Sequence, residues 1–592
     1  MAPLMHVLLV TLCLAASPLG LLSAAEVPHI EFDSEEGAPF ILSHISTSTR
    51  YNDALVAQGA SLPEFLPKPP RETCKPVQLN LLARHGARDP TRKRAKQLKK
   101  VVLNLKAAAK SLVHEVQHVA VGDGSAASGG AARSGNLRSP PNWIGDYIVP
   151  WEGHEPVGYL VPGGEEEMYG LAKRWKQRMP NVLDQTYHPE RYRIFGTQVP
   201  RASASAVAFG VGFLEGNGTL GPARHQSFAV ISDTKDIDRR LRFHKTCPAY
   251  KAHKKARKPE VWSNQEPVYS ATGANILSRT GLNLTAKDVG ALWLLCKVEA
   301  AIRNTTNQVC SLFTKEEVLQ LEWADDIELH ILKGYGAPIN YRMAQALLQD
   351  ILESMEGALA DWRGGSTKVP ELGRLRFAHA ETIMPLLCTL GLFQETDRDA
   401  LLAAQEEELP LPPPPPYPRA WRGSVVAPFG ANTALVLYDC AENKGELDEG
   451  HKGKKKDDTV GRTGRNDDDD DEEEEGKPHH WRYLLGRALA LFRWGTLKPA
   501  GTRFREGLVH EDEFLVLALH NERPVKMPAC EGALFCPFGV FRKRVLGPHM
   551  KGSFDKMCAL TGWSYALDAW LVEGLSWLGI EHWPLYRFLG SI

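Results

Sequence analysis

The chain has 592 residues, 43% of them hydrophobic and 24% charged, with a formal net charge of −1. That composition belongs to a soluble globular protein of two or three domains, or of one large domain with insertions. The global charge names no partner and gives no reason to expect nucleic acid; local blocks of opposite sign carry what electrostatics there are.

In chain order, residues 5–22 are mostly apolar and lead into the small residues Ser23, Ala24 and Ala25. This is the pattern of a secretory signal peptide over residues 1–25, cut near Ala25. Its n-region lacks Lys and Arg, and a signal anchor is the alternative. Pro18 and Gly20 would interrupt such a spanning helix. In a secreted chain the cysteines beyond Cys13 meet an oxidising compartment, so several should pair. Cys530 with Cys536 is the first expectation and Cys296 with Cys310 the second, with one thiol left over. No CxxC pair points to zinc. The sequons at Asn217, Asn283 and Asn304 predict glycosylation in the same compartment.

Residues 26–75 read as an irregular arm. Residues 77–83 form a short apolar run, a buried strand. Residues 92–117 read as a helix, with Leu98, Val102, Leu105, Ala109 and Leu112 about one turn apart. Residues 122–139 are Gly-, Ser- and Ala-rich and read as a loop. Residues 165–179 form a helix with acids at its start and bases at its end, as the helix dipole favours. From 233 to 364 the pattern is helical. Residues 375–378 then read as another core strand, followed by a helix from about Glu381. Strands that flank a helical insertion predict an α/β core over 26–230 and 371–440 with a helical cap over 231–370.

The run PLPPPPPYP, residues 410–418, reads as an extended polyproline spacer. Residues 441–480 hold KGKKK and then DDDDDEEEE, and read as a disordered surface loop. A helix is expected near Tyr483, and residues 481–592 hold the end of the core and a tail. The last stretch, 563–592, is rich in Trp and Leu and reads as a packed terminal helix. Asp568, Glu573, Glu581 and Arg587 make it a poor membrane span.

The chemistry begins at LLARHGARDP, residues 81–90, where Arg84, His85 and Arg88 crowd together behind the first strand. Such cations repel one another unless an anion lies between them. A loop at the carboxyl edge of an α/β sheet is the usual ligand position. Gly86 would let the backbone turn and approach a ligand. Arginines there would fork onto phosphate oxygens. His85 among them would stay neutral, with a nitrogen free to attack phosphorus.

The stretch resembles the RHGxRxP signature of the histidine phosphatase superfamily, in its acid-phosphatase branch (branch 2), matching at Arg84, His85, Gly86, Arg88 and Pro90. The resemblance implies a phosphoglycerate-mutase-like core, an α/β fold with a mainly parallel sheet flanked by helices and an α-helical cap. It implies His85 as a nucleophile that is transiently phosphorylated, with Arg84 and Arg88 on the phosphate. GTQVPRASASAVAFGVGF, residues 196–213, supplies the family's third arginine, Arg201. LRFAHAETIMPLL, residues 375–387, supplies His379, which completes the phosphate clamp, and Glu381, the proton donor. Glu381, protonated, would hand a proton to the leaving oxygen and then activate the hydrolytic water. No metal or other cofactor is expected, because the arginines take the place of a metal clamp.

HAE in place of the commoner HD, with WRGSVVAPFGANTALVLYDC (residues 421–440) and LALHNERPV (residues 517–525), resembles multiple inositol polyphosphate phosphatases. That resemblance implies a small polyphosphorylated substrate such as phytate or lower inositol phosphates, with 2,3-bisphosphoglycerate a substrate of some members. Arg92, Lys93, Arg94, Lys96, Lys99 and Lys100 are candidates for a cationic rim, and Lys245 is a weaker one on the cap side. Two alternatives stay open: a general acid phosphatase acting on small monoesters or phosphoproteins, and an inactive binding protein of the same fold. The ending Leu589-Gly590-Ser591-Ile592 is no ER-retrieval signal, so secretion or an endolysosomal destination is expected rather than the ER lumen.

Overall fold

The structure is a computed structural model that describes residues 37–58, 62–122, 139–154, 157–363, 369–395, 411–441 and 513–560. The expected signal peptide, charged loop, helix near Tyr483 and Trp/Leu-rich tail lie outside the described residues. No helix among those described is long and apolar enough to cross a membrane.

At the centre is one eight-stranded mixed sheet in the order β3-β2-β4-β1-β5-β6-β7, with β8 paired to β6. The strands are β1 (Lys75–Arg84), β2 (Tyr192–Gly196), β3 (Val230–Ile231), β4 (Gly373–Ala378), β5 (Asn432–Asp439), β6 (Phe514–His520), β7 (Arg523–Pro524) and β8 (Phe535–Pro537). The half β3-β2-β4-β1 is parallel; β5 runs antiparallel to β1, and β6 turns back again. Five strands therefore share one direction, and the carboxyl ends of β1, β2 and β4 meet at one edge.

Continuous burial along β1, β4 and β6 follows from cover on both faces. On one face Leu79, Leu81 and Phe377 pack with Met168, Trp175, Phe209 and Phe213, which come from the helices Pro162–Arg178 and Pro200–Leu214. On the other face Leu82, Ala378 and Leu435 pack with Leu348, Ile351 and Met384. That second face also buries charge. Asp350 accepts from Arg374 at 3.0 Å and from Arg376 at 2.7 Å, and Arg376 reaches Asn80 at 3.0 Å. Each of these polar groups is satisfied by its neighbours, which makes its burial tolerable.

A third apolar cluster joins the helices Lys258–Thr280, Ala286–Arg303 and Lys315–Lys333. Two of these helices open on capping boxes, Thr285 with Asp288 and Thr314 with Glu317. The cluster also takes in Ile41, Ile45, Leu98 and Val102, so segments before residue 231 help to build the helical block. Within the expected irregular arm, the described residues 37–58 and 62–75 are correspondingly more ordered than expected. They contain the helices Gly37–Leu42 and Tyr51–Ala57, both too short to show a period, fixed by contacts such as Phe429 N–H to the Thr49 carbonyl, 2.9 Å.

The proline run is not a continuous extended spacer. Tyr417 N–H closes a turn on the Pro414 carbonyl at 3.1 Å, and Trp323 Nε1–H holds the Pro412 carbonyl at 3.0 Å. Both expected disulfides form, Cys530–Cys536 and Cys296–Cys310. Cys74–Cys440 ties the start of β1 to the end of β5, and Cys247–Cys558 is the fourth; Cys388 is the buried thiol left over.

Candidate functional site

Three neighbouring parallel strands deliver the site. β1 and β4 are in register at Arg84↔Ala378, so the residues that follow them lie side by side, with His85 N–H on the Ala378 carbonyl at 3.0 Å. Thr197, just after β2, bonds the Phe377 carbonyl at 3.1 Å, and the helix bearing Arg201 begins at Pro200. His379 caps the helix Ala380–Thr389, which carries Glu381 in its first turn. Arg84, His85, Arg88, Arg201, His379 and Glu381 thus converge from three separate stretches of chain.

His85 is 2% exposed. Its Nδ1 lies 3.0 Å from the Gly86 carbonyl, which can only accept, so Nδ1 carries the proton. Nε2 then holds the lone pair, and Arg201 Nε–H donates to it at 3.0 Å. Burial, then Arg201, Arg84, Arg88 and His379, hold the imidazole well below its ordinary pKa. A neutral nucleophile of fixed tautomer is the result. The ring of His379 stands edge-on to it at 5.5 Å, with Nε2 3.0 Å from Thr197 Oγ1 and Nδ1 buried without a hydrogen-bond partner among the described residues.

Arg84 is anchored from behind. Its Nη1 donates to the carbonyls of Thr47 (2.5 Å) and Ala427 (2.6 Å), and its guanidinium lies 4.3 Å over the Phe429 ring. Arg88 is held by the Asp89 carbonyl at 2.6 Å. Burial first, then the neighbouring arginines, lower Arg84 to about 9 and Arg88 to about 10, and lower Arg201 as well. Guanidiniums so crowded gain from any anion placed between them.

The loop itself is braced by Glu167, 6% exposed, which accepts from Ala87 N–H at 2.8 Å and from Tyr51 N–H at 3.0 Å. Gly86 serves a different purpose from the one expected. A Cβ on it would meet the Gly164 carbonyl at 2.1 Å, and one on Gly164 would meet the Ala87 carbonyl at 2.1 Å. The two glycines let the loop lie directly on the first turn of the helix Pro162–Arg178; the close approach is to backbone.

Glu381 departs from expectation too. Burial pushes its carboxyl up, but Lys333, His244, His379 and Lys254 outweigh it and hold the group well below its usual range. Lys333 Nζ is 3.7 Å away. Glu381 is therefore ionised in the free protein rather than protonated.

Sequence reading missed most of the basic side chains that crowd Glu381 and His379. Arg242, His244, Lys254 and Lys333 come from the helical block and face the site alongside Lys245. Arg242 and His244 sit in a basic segment that reads as solvated, and a lysine at a helix end, like Lys333, reads as a dipole partner. The expected rim fares differently. Arg92, Lys93, Arg94, Lys96, Lys99 and Lys100 are exposed on the helix Arg92–Gly122. Lys99 pairs with Glu152 at 2.8 Å and Arg94 bonds Gln97 at 2.8 Å. None is among the charges acting most strongly on His85, His379 or Glu381. Asn217, Asn283 and Asn304 are all exposed.

Residues 77–453 match the family model of the histidine phosphatase superfamily (branch 2). The chain is 28% identical over 421 residues to multiple inositol polyphosphate phosphatase 1 of Dictyostelium discoideum, covering 63% of this chain and 61% of that one, so it spans under two thirds of that relative's length. Against the Homo sapiens protein of the same name it is 27% identical over 418 residues, 68% of this chain and 78% of the other. The crystal structure of the phytase from D. castellii superposes with a TM-score of 0.57 at 15% identity, covering 90% of this chain and 91% of that one. The fold is shared between them.

Proposed function

The chain belongs to the histidine phosphatase superfamily, branch 2, and from that premise we propose that it is a phosphomonoesterase that hydrolyses inositol polyphosphates through a phosphohistidine. The observation that carries this reading is the His85 tautomer: Nδ1–H is committed to the Gly86 carbonyl, which leaves the Nε2 lone pair facing the arginine cluster.

In the first step Nε2 attacks phosphorus while Arg84, Arg88, Arg201 and His379 hold the other three oxygens and the charge that develops on them. Arg201 Nε–H moves from Nε2 to a phosphoryl oxygen as it does so. The bond from phosphorus to the leaving oxygen breaks, its electron pair stays on that oxygen, and Glu381 supplies the proton. In the second step the Glu381 carboxylate takes a proton from water. The hydroxide adds to phosphorus, and the P–N bond returns its pair to Nε2.

Glu381 must be protonated to begin, yet the free site holds it ionised. A polyphosphorylated ring resolves this, because its phosphates neutralise Lys333, Lys254 and their neighbours and let the carboxyl rise. The same cationic wall favours a crowded ring over a simple monoester. The disulfides fit a secretory-pathway protein, secreted or endolysosomal, and the exposed sequons fit glycosylation there. Replacing His85 by Ala is expected to abolish phosphate release from phytate. Release at the wild-type rate would overturn the mechanism, and a clear preference for p-nitrophenyl phosphate over phytate would replace the substrate by small monoesters.

A further inference from the structure

Thr197 and His379 meet through one bond, and its direction decides what His379 can offer a phosphate. Thr197 follows β2 and is fully buried. Its main chain is pinned on both sides. The N–H donates to the Phe377 carbonyl at 3.1 Å, and the carbonyl accepts from Val199 N–H at 2.6 Å and from the Ser203 hydroxyl at 2.8 Å. The Thr197 hydroxyl is thereby presented to His379 Nε2 at 3.0 Å, and among the described residues this is its one hydrogen bond. His379 is 4% exposed, and its ring stands edge-on to His85 at 5.5 Å and to His244 at 6.0 Å.

The bond can run in two directions. If Nε2–H donates to the hydroxyl oxygen, Nδ1 is left as a bare lone pair and the hydroxyl proton has no acceptor, so two buried groups go unmatched. If the hydroxyl donates to Nε2, the ring proton sits on Nδ1 and only that N–H lacks a partner among the described residues. Each unmatched buried group costs about 1–3 kcal/mol, so the second arrangement is favoured by one such group. His520 shows the same pairing completed by the protein. Its Nε2 lies 3.1 Å from the Val425 carbonyl, which can only accept, so the Thr433 hydroxyl donates to Nδ1 at 3.1 Å. At His379 no carbonyl among the described residues meets the second nitrogen, and the ring lies within the arginine cluster instead.

We propose that Thr197 is a positioning residue that sets the His379 tautomer: its hydroxyl donates to Nε2, and Nδ1–H is kept for a phosphoryl oxygen. This rests on the phosphatase reading above, in which His379 holds one of those oxygens. A neutral imidazole can bind an anion only through its N–H, and which nitrogen carries the proton is set by the bond the other makes. With the opposite tautomer a lone pair would face the phosphate and repel it. In the free protein Nδ1 is closed off from solvent, and His85 Nε2 is capped by Arg201 Nε–H. Arg201 is the strongest charge acting on both rings. The phosphoryl group that draws Arg201 off His85 therefore arrives beside both imidazoles, one with a lone pair for phosphorus and the other with an N–H for oxygen.

The test uses the full chain with isotope-labelled histidine, as wild type, Thr197→Val and Thr197→Ser. Two-bond proton–nitrogen correlations, recorded without substrate at about pH 7, read the His379 tautomer, and its signals are assigned by their loss in His379→Gln. Wild type and Thr197→Ser are expected to show Nδ1–H. Thr197→Val, which puts a methyl group where the hydroxyl was, is expected to shift towards Nε2–H. In Thr197→Val kcat/KM for phytate should fall about tenfold and inhibition by inorganic phosphate should weaken with it, while Thr197→Ser should stay within about threefold of wild type. A wild-type ring protonated at Nε2 would overturn the proposal, and that spectrum decides even where Thr197→Val does not fold. So would an unchanged tautomer in Thr197→Val, since lost activity or a lower melting temperature alone would then report packing. The phosphatase reading fails separately, if the wild type releases phosphate from neither phytate nor p-nitrophenyl phosphate.

Discussion

Burial and neighbouring charge shift the titration of the residues at the site, and their chemistry follows from that. His85 remains neutral because burial and three guanidiniums oppose its cation. Its nucleophilic form is lost only as pH falls through a value well below the ordinary 6.5, so the acid limb of kcat/KM should lie well under pH 6.5. The same sign governs stability. Between the lowered value and 6.5 the folded state binds fewer protons than the unfolded one, so stability drops as pH falls through that window. Glu381→Gln removes the proton donor but keeps the shape. It should slow phytate by about 100-fold or more and p-nitrophenyl phosphate by far less; equal slowing would take Glu381 out of that role. His85, Arg201 and His379 were readable because each sits in a short contiguous string at a strand end. His244 and Lys333 were not, since a basic side chain brought in from a separate helix leaves no local pattern that differs from a solvated face.

At the scale of elements, the contact between the loop after β1 and the helix Pro162–Arg178 decides the precision of the site. Gly86 and Gly164 face one another across it, and Glu167 pins Ala87 from the same helix. A methyl group at Gly164 would sit 2.1 Å from a backbone oxygen that has no flexible end to swing away. Gly164→Ala should therefore cost about 1–3 kcal/mol of stability. It should also lower kcat by about 100-fold by displacing Arg88 and His85; thermal unfolding and phytate turnover check the two effects. Long periodic elements such as the helices Arg92–Gly122 and Lys315–Lys333 were legible from their apolar spacing. The short helices Gly37–Leu42 and Tyr51–Ala57 were not, because one or two turns carry no period and long-range contacts, such as Tyr51 with Glu167 and Glu522 and Ile41 in the third apolar cluster, fix them. The role of Gly86 was misread for a related reason: a glycine signals close approach without saying to what.

Across the whole molecule the sheet is closed from opposite ends. Cys74–Cys440 joins the first residues of the β1 region to the end of β5, far from the catalytic edge. Replacing both cysteines by serine should lower stability by about 2–5 kcal/mol while leaving phytate KM near the wild-type value; chemical denaturation and steady-state rates measure each. The α/β plan was legible from strand-like runs on either side of a helical stretch, whereas the antiparallel turn of β5 and β6 depends on pairings between distant segments. Those distances have a consequence for synthesis. β1 pairs with β4 and β5, so more than half of the 592 residues must leave the ribosome before β1 has either neighbour. Until then the nascent chain carries a naked apolar ribbon, open at both edges and in need of chaperone cover. It also lacks the assembled site, since His85 gains His379 and Glu381 as neighbours only once β4 has docked beside β1.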